Sequence, residues 1–286
     1  MTTDKKDSRF FRFLKLPMYL WTLVFVFVSL TYVIGLSFMG RGELIGVDGL
    51  FTLANYARLR EPQYLKVLLN SLKLAALTTV LCLSIGYPFG YLMARLKPGA
   101  RTVVLMLLIV PFWTNSLIRI FGWRILLMGN GPLNTFLQNL GLIEKPLKLL
   151  NTEGAVFLGM VYALLPLMIM PSSNAVEKLD YSVVEAARDL GAGPLKAFFT
   201  ITVPLTLPGL MAGCVLVFIP SMGLFFLNDM LGGGKTLLTG NLIQNLINSR
   251  DLPMASALSA LMLLVTGAVI ALYRKVGGSS GQLSMF

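Results

Sequence analysis

Glu185-Ala186-Ala187, three residues, Gly191, nine residues, then Ile201-Thr202-Val203-Pro204: this spaced set lies between two long apolar runs. Ser182 with Glu185 three residues later predicts a capping box at a helix start. Gly191 predicts the helix end, because glycine takes the left-handed conformation at little cost. The two signals frame about two turns from Val183 to Leu190, roughly 12 Å at 1.5 Å per residue. Gly193-Pro194 restarts the chain, since Pro suits the first helical position. Leu195, Phe198 and Phe199 then form an apolar stripe beside Lys196. Helix, glycine elbow and helix make a compact protrusion. A plain connecting hairpin would account for the caps; Ala186 and Ala187 add small side chains that let another surface approach closely.

Around this protrusion the chain is built for a bilayer. Of its 286 residues 56% are hydrophobic and 13% charged, with mean hydropathy +0.75, which excludes a soluble globular domain. Charge-free stretches run over Leu16–Gly40, Leu74–Ala94, Thr102–Ile118, Gly154–Val176, Ala197–Asn228 and Leu252–Tyr273. All but the third exceed the 18 residues expected of a spanning helix. The third is shorter and carries Pro111, yet without it the protrusion would face the wrong side. The expected architecture is therefore an all-α integral membrane protein. One domain, 16–275, holds six spans near 16–40, 68–94, 102–118, 154–176, 205–228 and 252–273, with the polar loop 180–204 between the fourth and fifth. A basic tail, 1–15, precedes it and a short tail, 276–286, follows.

Lys and Arg set the orientation. With both termini in the cytoplasm, the inner segments 1–15, 95–101, 177–196 and 274–286 hold 13 basic residues in 55, against 10 in 84 for the outer segments 41–66, 119–153 and 229–251. Positive charge is denser inside, as membrane topology requires, so the protrusion faces the compartment that contains ATP. This asymmetry absorbs most of the net charge of +11 and leaves no water-exposed basic domain for nucleic acid. The first apolar run is too long for a secretion signal and lacks a small-residue cleavage site, which makes it an uncleaved span.

Catalytic chemistry finds no foothold. The chain has no His, the commonest general base and metal ligand. Gly232-Gly233-Gly234-Lys235 lacks the spacing of a phosphate-binding loop and reads as an outer turn. Cys82 and Cys214 lie in apolar runs as small hydrophobes and do not signal a disulfide. No metal, cofactor or enzymatic role is expected. Gly86, Gly90 and Ala94 on the second span, with Gly209 and Gly213 on the fifth, provide small faces for close helix packing. Pro88, Pro166, Pro171, Pro208 and Pro220 lie within spans, as kinks or as hinges. Lys73, near the outer start of the second span, can snorkel outward and is given no function.

The spacing of residues 185–204 resembles the EAA loop of permease subunits in bacterial ABC importers, of the type I (MetI-like) membrane-domain family; Val203 stands where that pattern has Leu. The resemblance implies that Glu185, Ala186, Ala187, Gly191, Ile201 and Pro204 form a cytoplasmic coupling helix that docks into a groove of a separate ABC ATPase homodimer. Glu185 is then expected to meet a basic residue on the ATPase rim.

Three further segments are similar to spermidine/putrescine importer permeases: residues 109–120, which contain Phe112, Trp113 and Asn115; Phe51-Thr52-Leu53 with Asn55-Tyr56; and residues 223–229, which contain Phe225, Phe226 and Asp229. The similarity runs from about residue 50 to 260. It implies a second homologous permease, an extracytoplasmic polyamine-binding protein and a polyamine cargo moved by alternating access. The chemistry is compatible: a polyamine is an apolar rod bearing ammonium groups, suited to aromatic faces and a carboxylate. Asp229, beside Phe225 and Phe226, is the expected carboxylate, since an acid at membrane depth marks a pathway. The alternative is a helix-end acid held by water or Lys235. Phe112, Trp113 and Asn115 line the path or belong to the interfacial aromatic belt. The stretch from Arg119 to Glu153, with a turn at Asn130-Gly131-Pro132, offers an outer surface for the binding protein. Rival readings are an importer for another solute (an anion, a ferric ion or an amino acid) and a non-transporting membrane scaffold or receptor.

Overall fold

A computed structural model describes residue 15 and residues 17–42, 47–234 and 237–277. Most of the basic N-terminal tail, the end of the C-terminal tail and Lys235 lie outside the described residues. Five helices are long and apolar enough to cross a membrane: α1 (Pro17–Ser37), α3 (Pro62–Ala94), α7 (Glu153–Glu177), α9 (Pro194–Gly223) and α11 (Leu252–Gly277). Two short helices, α2 (Ala54–Arg58) and α6 (Pro132–Asn139), lie between spans. The third apolar run is broken. Helix α4 (Pro98–Trp113) and the helical stretch that opens with α5 (Ser116–Leu127) meet at 94°, a broken span or a re-entrant loop; counted as one span, the pair brings the total to six. The break falls after Pro111, where Thr114 turns to an extended conformation and Asn115 accepts the Leu117 N–H at 2.9 Å to start α5. The chain clusters into two compact units, Met1–Leu65 with Leu242–Val265, and Lys66–Asn241 with Thr266–Phe286.

In the first unit, α1 leads into an antiparallel pair, β1 (Met39–Gly40) and β2 (Asp48–Phe51), with Met39 opposite Phe51 and Gly40 opposite Asp48. Asn55, buried, donates to the carbonyls of Ser37 and Met39 at 3.0 and 2.8 Å, and the Tyr56 and Ser37 hydroxyls share a bond of 2.7 Å. These two residues of the polyamine-permease-like segment therefore brace the end of α1. Leu59, Tyr64, Met254, Ala257 and Leu258 form the core of this unit. Asp251, at 3% side-chain exposure, pairs with Arg58 at 3.3 Å and Arg41 at 3.8 Å, and its other oxygen accepts the Met254 N–H at 3.3 Å.

The second unit is organised around α7. Gly86 and Gly90 of α3 press on one side of it and Gly209 and Gly213 of α9 on another. A Cβ at Gly90 would lie 3.0 Å from the Ser173 nitrogen, and one at Gly209 only 2.3 Å from the Ala175 Cβ. Without a hydrophobic drive between helices in lipid, this backbone approach maximises dispersion contacts. Cys82 and Cys214, both free, sit in the resulting cluster with Leu164, Met168 and Val217. The prolines inside α3, α7 and α9 leave each helix continuous. On α6, the fully buried Asn134 donates to the carbonyls of Met128 and Leu147 at 3.0 Å each and accepts the Leu147 N–H at 2.9 Å, tying the segment that leads to α7 back onto α6.

Candidate functional site

The 185–204 set is split between α8 (Tyr181–Asp189) and the start of α9. The helix begins two residues before the expected start. Asp180, not Ser182, is its cap and accepts the Ser182 N–H at 3.0 Å. A carboxylate makes a stronger, charge-assisted bond to backbone N–H than a hydroxyl does, so Asp180 wins and no Ser182–Glu185 box forms. Hydrogen bonds from the Ser182 side chain and backbone hold the Asp180 carboxyl below its ordinary range. At the other end the glycine reading holds. Gly191 has φ +88°, its N–H bonds the Arg188 carbonyl at 2.9 Å, and the Ala192 N–H reaches the Ala187 carbonyl at 3.0 Å. This pair of bonds is a Schellman motif.

Beyond Gly193 the chain enters α9 at Pro194, passes through a π-helical segment at Phe198–Thr202 and continues into the span. Ile201 packs against Leu179, Val184 and Ala197, locking the protrusion to the base of α9. Glu185, Ala186, Gly191 and Pro204 are exposed and Ala187 half-buried. Around them stand Val183, Leu190, Leu195 and Phe199, with Leu190 90% exposed, an apolar surface flanked by charge. The expected stripe divides: Phe198 turns inward onto Tyr87 and Tyr91, with ring centroids at 5.8 and 5.5 Å.

The second set gathers where α9 ends. Helix geometry stops at Gly223, Leu224 takes φ −78° and ψ 56°, and a short turn, Phe225–Leu227, runs into a π segment, Asn228–Gly232. Asp229 is thus beyond the regular span, exposed, and accepts the Asn241 side-chain amide at 2.6 Å. Asn241 also donates to the Phe225 carbonyl at 3.3 Å and accepts the Asn228 amide at 3.0 Å. Asn241, at the start of α10 (Thr239–Asn248), is the hub that sequence reasoning missed; an Asn 12 residues from Asp229 carries no local signature. Phe226 packs into the cluster of Ile120, Met160, Leu227 and Leu231. Phe112 lies under the Arg119 guanidinium at 5.0 Å, Trp113 is 84% exposed, and Asn115 is spent as a helix cap. A partly open pocket lies nearby, lined by Asn70, Lys73, Glu153, Phe157 and Asn228. Asn228, which lines it and bonds Asn241, brings this pocket next to the Asn241 hub. Among the described residues no three His, Cys, Asp or Glu side chains cluster as metal ligands.

The family to which the chain is matched makes this membrane domain a transport permease, not an enzyme. The chain belongs to the family of binding-protein-dependent transport system inner membrane components, whose model matches residues 86–276. It is a multi-pass inner-membrane permease subunit of an ABC importer. Among its relatives are the spermidine/putrescine transport system permease protein PotB of Salmonella typhimurium, 46% identical over 94% of both chains, and that of Escherichia coli K12, 48% identical over 88% of this chain and 92% of the relative. The fold matches a chain of a bacterial ABC transporter involved in import of the acidic polysaccharide alginate, with TM-score 0.75 and 17% identity over 97% of this chain and 98% of that one.

Proposed function

We propose that this permease imports polyamines of the spermidine/putrescine class. A solute-binding protein outside delivers the cargo, and a second homologous permease completes the pore. An ATPase homodimer inside supplies the energy. The observation that carries the reading is the 46–48% identity to spermidine/putrescine permeases across 88–94% of the chain. The site agrees with it: Asp229 presents a carboxylate held in place by Asn241 beside Phe225, a pairing of acid and aromatic face that attracts an ammonium group.

For coupling, α8 lies against the ATPase through Glu185, Ala186 and the exposed apolar rim, and Gly191 is the elbow. Both termini are cytoplasmic, as the density of Lys and Arg indicates. The test is uptake of labelled putrescine and spermidine into proteoliposomes holding the full complex, competed with an anion, a ferric chelate and an amino acid. Competition by polyamines alone is expected; competition by any other class refutes the cargo. In the same assay Asp229→Ala should weaken uptake at low polyamine concentration without loss of assembly. Unchanged uptake removes Asp229 from the path. Gly191→Val should abolish uptake, since a β-branched residue at φ +88° is strained even though nothing lies within 4 Å of its new Cβ.

A further inference from the structure

We propose that Arg95 is a positioning residue that ties the coupling helix to the second span, so that ATPase closure drives two spans instead of one. This rests on the reading of α8 as the coupling helix. The helix is already continuous, through its glycine elbow, with α9. At its opposite end Tyr181, the first residue of α8, meets a residue just past the end of α3. The Arg95 guanidinium carbon lies 4.3 Å from the centroid of the Tyr91 ring and 5.1 Å from that of Tyr181. Arg95 Nε donates to the Tyr181 hydroxyl at 3.2 Å, and a terminal nitrogen donates to the Tyr91 hydroxyl.

Arg95 is exposed, and an arginine serving only the positive-inside rule would leave its donors to water. This one spends two of its donors on phenol oxygens and stacks on both rings, a geometry that a planar guanidinium provides and an ammonium does not. The contact is also backed from behind. The Tyr91 ring stands edge-on to Phe198, Phe198 lies 5.8 Å from Tyr87, and the Tyr87 hydroxyl bonds Thr206 of α9 at 3.0 Å. The base of α9, the end of α3 and the start of α8 are thereby joined by one aromatic cluster with Arg95 as its cationic link. The glycine elbow and the apolar contact of Val184 with Ala197 and Ile201 hold α8 to α9; the Arg95 link adds a direct hold on the end of α3, so that motion of α8 reaches both spans.

The experiment uses the reconstituted complex and reads polyamine imported per ATP hydrolysed, a ratio that a mere loss of folded complex does not change. Arg95→Gln and Tyr181→Leu should each lower the ratio about tenfold. Tyr181→Phe, which keeps the ring, should stay within about twofold of the parent. The double variant Arg95→Gln/Tyr181→Leu should be no worse than either single one, because both remove the same link. An unchanged ratio in Arg95→Gln, or losses that multiply in the double variant, overturns the proposal. Should Arg95→Gln fail to assemble, the Tyr181→Phe and Tyr181→Leu pair decides, since equal ratios in the two overturn the link. Gly191→Val run alongside separates the two levels. If it abolishes uptake while the Arg95 and Tyr181 variants keep the parent ratio, only the link is wrong. If all of them transport normally, the coupling-helix reading falls with it.

Discussion

Replacing Gly209 with Ala places a methyl carbon 2.3 Å from the Ala175 Cβ and 3.1 Å from the Pro171 carbonyl oxygen. Carbon atoms pack best at about 3.5–4.0 Å, so α7 and α9 must separate by over 1 Å at this crossing, roughly the shortfall in that distance. Neither obstacle is the end of a flexible side chain that could rotate away. Separation also loosens Met168, which meets Gly213 one turn along, and with it the cluster of Cys82, Leu164 and Val217. Overpacking of this kind costs about 1–3 kcal/mol, and the rigid obstacles place Gly209→Ala toward the upper end. On the scale of about 2–4 °C per kcal/mol for large domains, the thermal midpoint in lipid nanodiscs should fall by several degrees. Ala175→Gly removes the 2.3 Å neighbour and leaves the Pro171 oxygen at 3.1 Å and the Cα of residue 175 at 3.5 Å, so Gly209→Ala/Ala175→Gly should recover most of the loss. The cycle is read by thermal unfolding of the purified permease complex followed by intrinsic fluorescence. A Gly209→Ala protein as stable as its parent, or a double variant no better than Gly209→Ala, would show that the close approach of α7 and α9 is not what holds this crossing.

Three further outcomes are expected. Asn134→Leu strands the Leu147 N–H and two carbonyls and should cost about 2–4 kcal/mol, seen as faster proteolysis between α6 and α7. Asp251→Ala removes both the cap of α11 and the partner of Arg58 and Arg41; about 2 kcal/mol is expected, with Asp251→Asn milder because it keeps the cap, as thermal unfolding will show. The Asp180 cap is sensitive to acid. Its folded pKa lies below the unfolded value, so its contribution is present above the unfolded pKa of about 3.9 and is lost as pH falls through the folded one. Hydrogen exchange in 181–189 should therefore hardly change from pH 8 to 5, beyond the intrinsic rate, and should quicken below about pH 4. Asp180→Asn should abolish that pH dependence, and its persistence in the variant would remove Asp180 as the cause.

The spans, the helix–elbow–helix protrusion and the small-residue faces were legible in the linear chain, because each depends on residues close together along it. A charge-free run must satisfy its own backbone and becomes a helix. The helix ends at Gly191 through bonds from Gly191 to Arg188 and from Ala192 to Ala187, only a few positions away. Where two local signals compete, reading along the chain is weaker: Asp180 displaced Ser182 as the cap, and the third apolar run, read as one span, turns at Thr114–Asn115. Side-chain partners lie at another level again. That Asn241 holds Asp229, that Phe198 and Phe226 turn inward while Phe199 stays exposed, and that Arg95 bridges Tyr91 to Tyr181 all follow from helices packed across long sequence separations. No periodicity carries those pairings, because a hydrogen bond or ring contact spanning 86 residues exists only once the helices have taken their places.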